Sequence, residues 1–194
     1  MVYTLIILVC CAIIAYRVNM LYRLSNYKGM RYFRNSFIFF FLAFLFRYIW
    51  KLDISLIHNY ALFFFIYTIS MAGFYLAYSL VWKNFEKYKI QKEIMLHGIA
   101  VIIAVSDLYL GRMYFMFITQ FAVLSYAIII SYSNYKQSGT AMSQLYFITL
   151  SLALIGYIVN FLNNIIAPLF QIFTYYVYAI TAGMFVLFLF IVSR

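Results

Sequence analysis

Five polar side chains interrupt the apolar stretches of this chain and could together bind a ligand. Arg47 lies within an apolar run, Asp107 and Arg112 flank a short turn-like segment, and Asn160 and Asn164 stand four residues apart. Residues four apart share one face of a helix. An arginine supplies a fixed cation for an anionic ligand, and amide groups can fix its orientation. We therefore predict a polar ligand pocket built from these five residues.

The same residues also have a purely structural interpretation. Arg47 could extend its guanidinium to the lipid headgroups, since long basic side chains bury their stems and keep their charge in water. Asp107 could pair with an arginine to close the helix bundle, because a lone charge in hydrocarbon is costly. Asparagines near a helix end often cap it. The sequence leaves both interpretations open.

Reagents for catalysis are missing from the sequence. It contains no HExxH or GxSxG motif, which removes the metal ligands or nucleophile that the corresponding hydrolases need. Cys10 and Cys11 are adjacent, which is not a metal-ligand spacing. The last apolar segment has no lysine for a retinal Schiff base. We predict a non-enzymatic protein with no cofactor and no metal.

Composition identifies the solvent in which these residues must be positioned. Of 194 residues, 68% are hydrophobic and only 9% are charged, too apolar for a soluble domain of this size. A helix needs about 20 apolar residues to cross a bilayer. The sequence predicts an all-α, single-domain, polytopic transmembrane bundle with seven helices at approximately 2–22, 32–50, 54–82, 94–110, 112–132, 141–163 and 165–193.

The 14 basic residues fall on alternate connections. Three of them are predicted on one side of the membrane: Arg47, Lys51 and Arg112. The other eleven are predicted on the opposite side: Arg17, Arg23, Lys28, Arg31, Arg34, Lys83, Lys87, Lys89, Lys92, Lys136 and Arg194. Basic loops stay in the cytoplasm. We expect a multi-pass protein of the cell membrane with an external N-terminus, a retained first helix and a cytoplasmic C-terminus.

The basic loops also predict partners. We expect a cytoplasmic surface formed by Arg23, Lys28, Arg31, Arg34, Lys83, Lys87 and Lys89. This surface would contact anionic lipid headgroups, and docking of a protein partner or assembly into a homo-oligomer remains open. The net charge of +10 is attributed to membrane topology, so nucleic acid is not expected as a partner.

Three functional hypotheses follow. The leading one is a sensor or receptor-like bundle that binds a ligand from outside and signals through its basic loops. Its helix number and orientation resemble seven-helix sensor domains that precede cytoplasmic kinases or cyclases. The second is a small channel or transporter, although a single Pro and seven Gly provide few of the helix breaks common in transporters. The third is a structural or assembly subunit of a larger complex. High Ile, Tyr, Phe, Asn and Lys usage suggests a prokaryotic source.

Overall fold

Seven α-helices make up nearly all of the described structure. The computed structural model describes the backbone of residues 2–52, 54–85, 92–166 and 171–193, and the side chains of 3–52, 54–82, 93–162 and 176–193. The helices are α1 Val2–Ser25, α2 Lys28–Lys51, α3 His58–Phe85, α4 Lys92–Leu110, α5 Tyr114–Ser138, α6 Ala141–Ile166 and α7 Gln171–Ser193. The prediction of an all-helical chain with seven helices is confirmed.

Every helix is long and apolar enough to cross a membrane. The apolar portions run from 18 to 25 residues, which matches the length that spans about 30 Å of hydrocarbon. Many large apolar side chains face outward, including Leu5, Ile102 and Ile129, each more than 60% exposed. In water such a surface would drive aggregation, so lipid is the solvent that this exterior fits.

The observed helix bounds differ from the predicted ones at several ends. α3 begins at His58 rather than at residue 54, because residues 54–57 form a turn in which the Ile57 amide donates to the carbonyl of Ile54. Residues 165 and 166, expected in helix 7, belong to α6. Hydropathy does not locate the start of α3, because residues 54–57 are as apolar as the helix that follows them.

The break between α4 and α5 is confirmed. Gly111 has φ +64°, a left-handed conformation that glycine adopts without the steric cost of a Cβ atom. Backbone amides of Gly111 and Arg112 donate to the carbonyls of Leu108 and Asp107. These bonds satisfy carbonyl groups at the end of α4 and reverse the chain toward α5.

Six helices form a closed ring, and the seventh stands outside it. Around the ring the order is α1, α2, α3, α5, α6 and α7, with α7 returning to α1, whereas α4 packs mainly against α3 and α5. One end of the bundle carries the starts of α1, α3, α5 and α7, and we call it the Arg47 end. The other carries the starts of α2, α4 and α6, and we call it the Arg31 end.

Aromatic side chains fill part of the interior of the ring. Phe33 of α2 contacts Phe37 of the same helix, Tyr146 of α6 and Phe188 of α7. Phe188 also contacts Phe37 and Tyr146, and all five ring-centroid distances lie between 5.0 and 6.1 Å. We call these four residues the aromatic layer. Phe37 and Phe188 are 0% and 1% exposed. Such edge-on aromatic packing contributes beyond its buried area, so the layer is a closely packed part of the core.

A close approach joins α3 to α5. A Cβ atom on Gly73 would lie 2.5 Å from Oε1 of Gln120, so only glycine leaves room for this amide. Nε2 of Gln120 donates to the carbonyl of Ile69 at 2.8 Å. Small residues let membrane helices pack closely, and polar side chains then bond across the interface. This contact joins α5 directly to α3 within the ring.

Candidate ligand site

A cavity of about 120 Å³ lies inside the ring near the Arg47 end. Five helices line it, namely α2, α3, α5, α6 and α7. The polar side chains in its wall are Arg47, Gln120, Tyr157, Asn160 and Thr181. Two residues of the predicted pocket, Arg47 and Asn160, therefore share one cavity.

Most of the cavity wall is apolar. Phe40, Phe44 and Phe185 contribute aromatic faces, and Val177 and Met184 contribute aliphatic surface. An engineered apolar cavity of about 150 Å³ holds one benzene. This cavity is therefore large enough for a short apolar tail or a single ring.

Several polar groups of the wall are bonded within the chain. The Tyr157 hydroxyl donates to the Met116 carbonyl at 3.3 Å, and the Thr181 hydroxyl donates to the Val177 carbonyl at 2.7 Å. Gln120 donates to Ile69 as described above. Buried polar groups that already have partners lose those bonds if a ligand recruits them. These three residues are therefore better suited to shape the wall than to hold a ligand.

Arg47 and Lys51 converge on a single phenol. Arg47 Nη2 lies 3.2 Å from the Tyr178 hydroxyl, and Lys51 Nζ lies 2.5 Å from the same oxygen. Both cations also lie over the Tyr178 ring, 5.2 and 5.1 Å from its centroid. The two residues are one helical turn apart in α2, so they project from the same face. Their shared acceptor is a neutral hydroxyl, so the described groups at this contact carry a net positive charge.

A shallow cleft of about 180 Å³ opens beside this cation pair. Tyr3, Tyr48, Lys51 and Tyr178 contribute to its lining together with Arg47. Arg47 thus borders both the cleft at the bundle end and the cavity inside the ring. A ligand that entered through the cleft would meet both cations before its remaining atoms reached the interior.

The Arg31 end carries a third opening, of about 320 Å³. Phe33 and Tyr146 line it, whereas Phe188 lines the interior cavity. All three belong to the aromatic layer, which therefore stands between the two spaces.

Asp107 is placed differently from the prediction. It is 1% exposed, and its Oδ1 and Oδ2 accept the amides of Phe115 and Met116, each at 2.8 Å. The residue preceding α5, Met113, makes no side-chain cap. The carboxylate therefore caps α5 from the end of α4, where its charge also suits the positive end of the helix dipole. It does not line the cavity.

Arg112 and Asn164 complete the predicted set. Arg112 is exposed in the turn before α5, where its Nη1 donates to the Tyr114 hydroxyl. It lines neither the cavity nor the cleft. Asn164 lies in α6, but its side chain is outside the described residues. The structure thus brings together Arg47 and Asn160, and it leaves Asp107 and Arg112 at the α4–α5 turn.

The predicted basic surface is described in part. Arg23, Lys28 and Arg31 are exposed near the Arg31 end, and Arg31 Nη2 lies 3.8 Å from Glu93 Oε1. Arg34 is half-buried and donates to Asn19 at 2.8 Å. Lys87, Lys89 and the side chain of Lys83 lie outside the described residues.

Two contributors to the candidate site are not among the five residues predicted for the pocket. Tyr178 is one of 21 tyrosines, and nothing in its local sequence distinguishes it from tyrosines at a membrane interface. Lys51 is recognisable only by its spacing, four residues after Arg47. The only clue in the sequence was the presence of two cations on one face of α2. The phenol that both cations contact comes from α7, far away in the sequence.

Comparison with known proteins adds one relative. The chain is 32% identical over 155 residues to an uncharacterized protein of Archaeoglobus fulgidus, and the match covers 71% of this chain and 67% of that protein. The chain belongs to the family of this archaeal protein. No family model matches the sequence. No solved structure matches it.

Proposed function

We propose that this protein is a non-enzymatic, receptor-like membrane sensor whose ligand site is the interior cavity beside Arg47. One observation carries the proposal: a single small cavity is walled by five of the seven helices. A ligand there contacts helices whose relative positions define the state of the bundle. It can therefore favour one arrangement over another, which is the physical requirement for a sensor.

The aromatic layer favours a sensor over a channel. A conducting path would have to join the cavity to the opening at the Arg31 end, and Phe37 and Phe188 are packed between them with almost no exposure. The same packing suits signal transmission, because a close-packed core moves as discrete, connected parts. Phe188 contacts the cavity on one side and Tyr146 on the other.

A direct test introduces bulk into the cavity and measures the opposite end of the bundle. Ala153 lines the cavity, so Ala153→Phe would mimic an occupant. Spin labels at Leu24→Cys and Gln144→Cys, both exposed near the Arg31 end, report the separation of α1 and α6. Native Cys10 and Cys11 are 6% and 0% exposed, which keeps them from reacting. We expect Ala153→Phe to shift the distance distribution between the labels.

The matched control is Ile155→Phe on the same helix. Ile155 is 51% exposed, so the added ring faces outward and should leave the distance distribution unchanged. A folded Ala153→Phe variant with the same distribution as wild type would overturn the sensor proposal.

The proposed orientation places the Arg47 end outside the cell membrane and the basic Arg31 end in the cytoplasm. Leu56 is 85% exposed at the Arg47 end, and Ser138 is exposed at the Arg31 end. In intact cells, an impermeant maleimide should label Leu56→Cys and should label Ser138→Cys only after lysis. The reverse pattern would invert the topology.

A further inference from the structure

We infer that the ligand is a small free monocarboxylate with a short apolar tail. Its carboxylate would bind Arg47 and Lys51, and its tail would occupy the interior cavity. This inference rests on the proposed ligand cavity and adds the chemical class of the ligand. The carrying observation is that Arg47 borders the charged cleft and the apolar cavity at once.

The cation pair supplies the headgroup site. Arg47 and Lys51 approach the same Tyr178 oxygen, and like charges held this close repel each other. A carboxylate has two oxygens, so it can accept hydrogen bonds from both cations at once. It also carries a negative charge, whereas the Tyr178 phenol is neutral. A carboxylate adds the attraction between opposite charges to hydrogen bonds that the phenol already accepts from the two cations.

The chain has few acids of its own to neutralise the pair. It contains 14 basic residues and four acidic ones. Among the described acids, Glu93 lies near Arg31 at the opposite end, and Asp107 is bonded to the amides of α5. Asp53 and Glu86 are outside the described residues. Asp53 is the acid nearest to the pair along the sequence, and the test below includes it.

The cavity volume limits the tail. A space of about 120 Å³ is slightly smaller than the engineered cavity of about 150 Å³ that holds benzene. It fits a tail of about five or six carbons, whereas a membrane phospholipid carries chains several times longer. A headgroup site alone would suit either source of anion, and the small volume of the cavity favours the small free acid.

Hexanoate is the probe for the test, with purified full-length protein in nanodiscs of zwitterionic lipid. We expect hexanoate to raise the midpoint of thermal unfolding and to bind measurably by calorimetry. Hexanol, which keeps the tail without the charge, and acetate, which keeps the charge without the tail, should both bind at least about tenfold more weakly. Equal binding of hexanoate and hexanol would overturn the inference.

Variants assign each half of the ligand to its site. Arg47→Met should weaken hexanoate about tenfold to a hundredfold, because it removes a charged hydrogen-bond donor, and Lys51→Gln should weaken it less. Ala153→Phe should remove the preference for hexanoate over acetate. The control is Arg112→Gln, an exposed cation of the same end that lines neither space, and it should bind as wild type. Undiminished binding by folded Arg47→Met would contradict the assignment.

Two further arms test other sources of negative charge. Asp53→Asn should leave hexanoate binding unchanged or tighter, and loss of binding would overturn the inference. Adding anionic phospholipid to the nanodiscs should leave the affinity for hexanoate unchanged at constant salt. If anionic lipid displaces hexanoate from wild type but not from Arg112→Gln, the lipid acts through Arg112 and not through the cation pair. The inference then stands only if Arg47→Met still weakens the binding of hexanoate. If lipid displaces it from both, the headgroup of a lipid is the ligand and the inference fails.

The two proposals can fail separately. The distance shift caused by Ala153→Phe requires no ligand, so it can occur even if hexanoate does not bind, and then only the ligand class is wrong. Hexanoate binding that depends on Arg47, without any shift between the labels, would leave the ligand class standing and remove the sensor proposal.

Discussion

The α4–α5 turn and the α2–α7 contact both place charge near the Arg47 end of the bundle, but they treat it in opposite ways. At the turn, the two oxygens of Asp107 accept two backbone amides from α5. At the contact, Arg47 and Lys51 share one hydroxyl of Tyr178. The first charge is matched by donors that every helix start provides. Among the described residues, the second pair is matched by one neutral oxygen, and in our proposal it binds an anion.

The difference distinguishes a structural charge from a candidate binding charge. An ionisable residue in hydrocarbon needs a partner, and its position in the sequence does not reveal whether that partner is the chain or a ligand. The hydrogen-bond partners of the residue show which of the two applies. Four substitutions test this distinction, from the largest expected effect to the smallest.

Asp107→Ala should produce the largest loss of stability. It removes two charge-assisted hydrogen bonds and leaves the amides of Phe115 and Met116 without acceptors, at a cost of about 3 kcal/mol. Thermal unfolding in detergent measures this loss. Asp107→Asn keeps one acceptor oxygen and should lose about half as much. A folded Asp107→Ala variant with wild-type stability and impaired hexanoate binding would make Asp107 a ligand residue and reverse the comparison.

Gly73→Ala tests a second internally matched group. The new Cβ would lie 2.5 Å from Oε1 of Gln120, so the amide must move and weaken its bond to Ile69. We expect a loss of about 1–3 kcal/mol from overpacking, measured by thermal unfolding. Gly183→Ala is the control, because its Cβ would meet no heavy atom within 4 Å. The loss of stability caused by Gly73→Ala should be smaller in a Gln120→Ala background, because the side chain that clashes has been removed. If the losses of the two single variants simply add in the double variant, this clash is excluded.

Tyr178→Phe separates the phenol from its ring. The variant loses the oxygen shared by Arg47 and Lys51 but keeps the aromatic face beneath both cations. Since the contact is only half-buried, we expect a stability loss of about 1 kcal/mol or less. Hexanoate affinity should be retained or increased, because the carboxylate no longer competes with the hydroxyl. A loss of binding equal to that of Arg47→Met would show instead that the hydroxyl itself is required.

Arg112→Gln should have the smallest effect. Its guanidinium is exposed and bonds to Tyr114 two residues away, and such surface contacts contribute within about 0.5 kcal/mol. Thermal unfolding should be nearly unchanged. A destabilisation comparable with that of Asp107→Ala would mean that Arg112, rather than the amides of α5, is the partner of the carboxylate.

The sequence pointed to some of the residues that line the candidate site and missed others for a physical reason. Arg47 was identifiable because a cation in an apolar run is rare. Asn160 was identifiable as an amide at the same predicted level of the membrane. Tyr178 was not, since tyrosine is abundant at membrane interfaces, and Asp107 was grouped with the site because a carboxylate looks the same whether it faces a ligand or a helix start.

The sequence by itself determined that there are seven helices, that each is long and apolar enough to cross a membrane, and that α4 and α5 are separated by a turn. These properties depend on the length and composition of one segment at a time. The tertiary structure alone decided that α4 stands outside the ring and that α7 supplies the phenol between Arg47 and Lys51. Hydropathy does not encode such choices, because in lipid an apolar side chain gains no hydrophobic energy by facing another helix, and packing and hydrogen bonding select the neighbours.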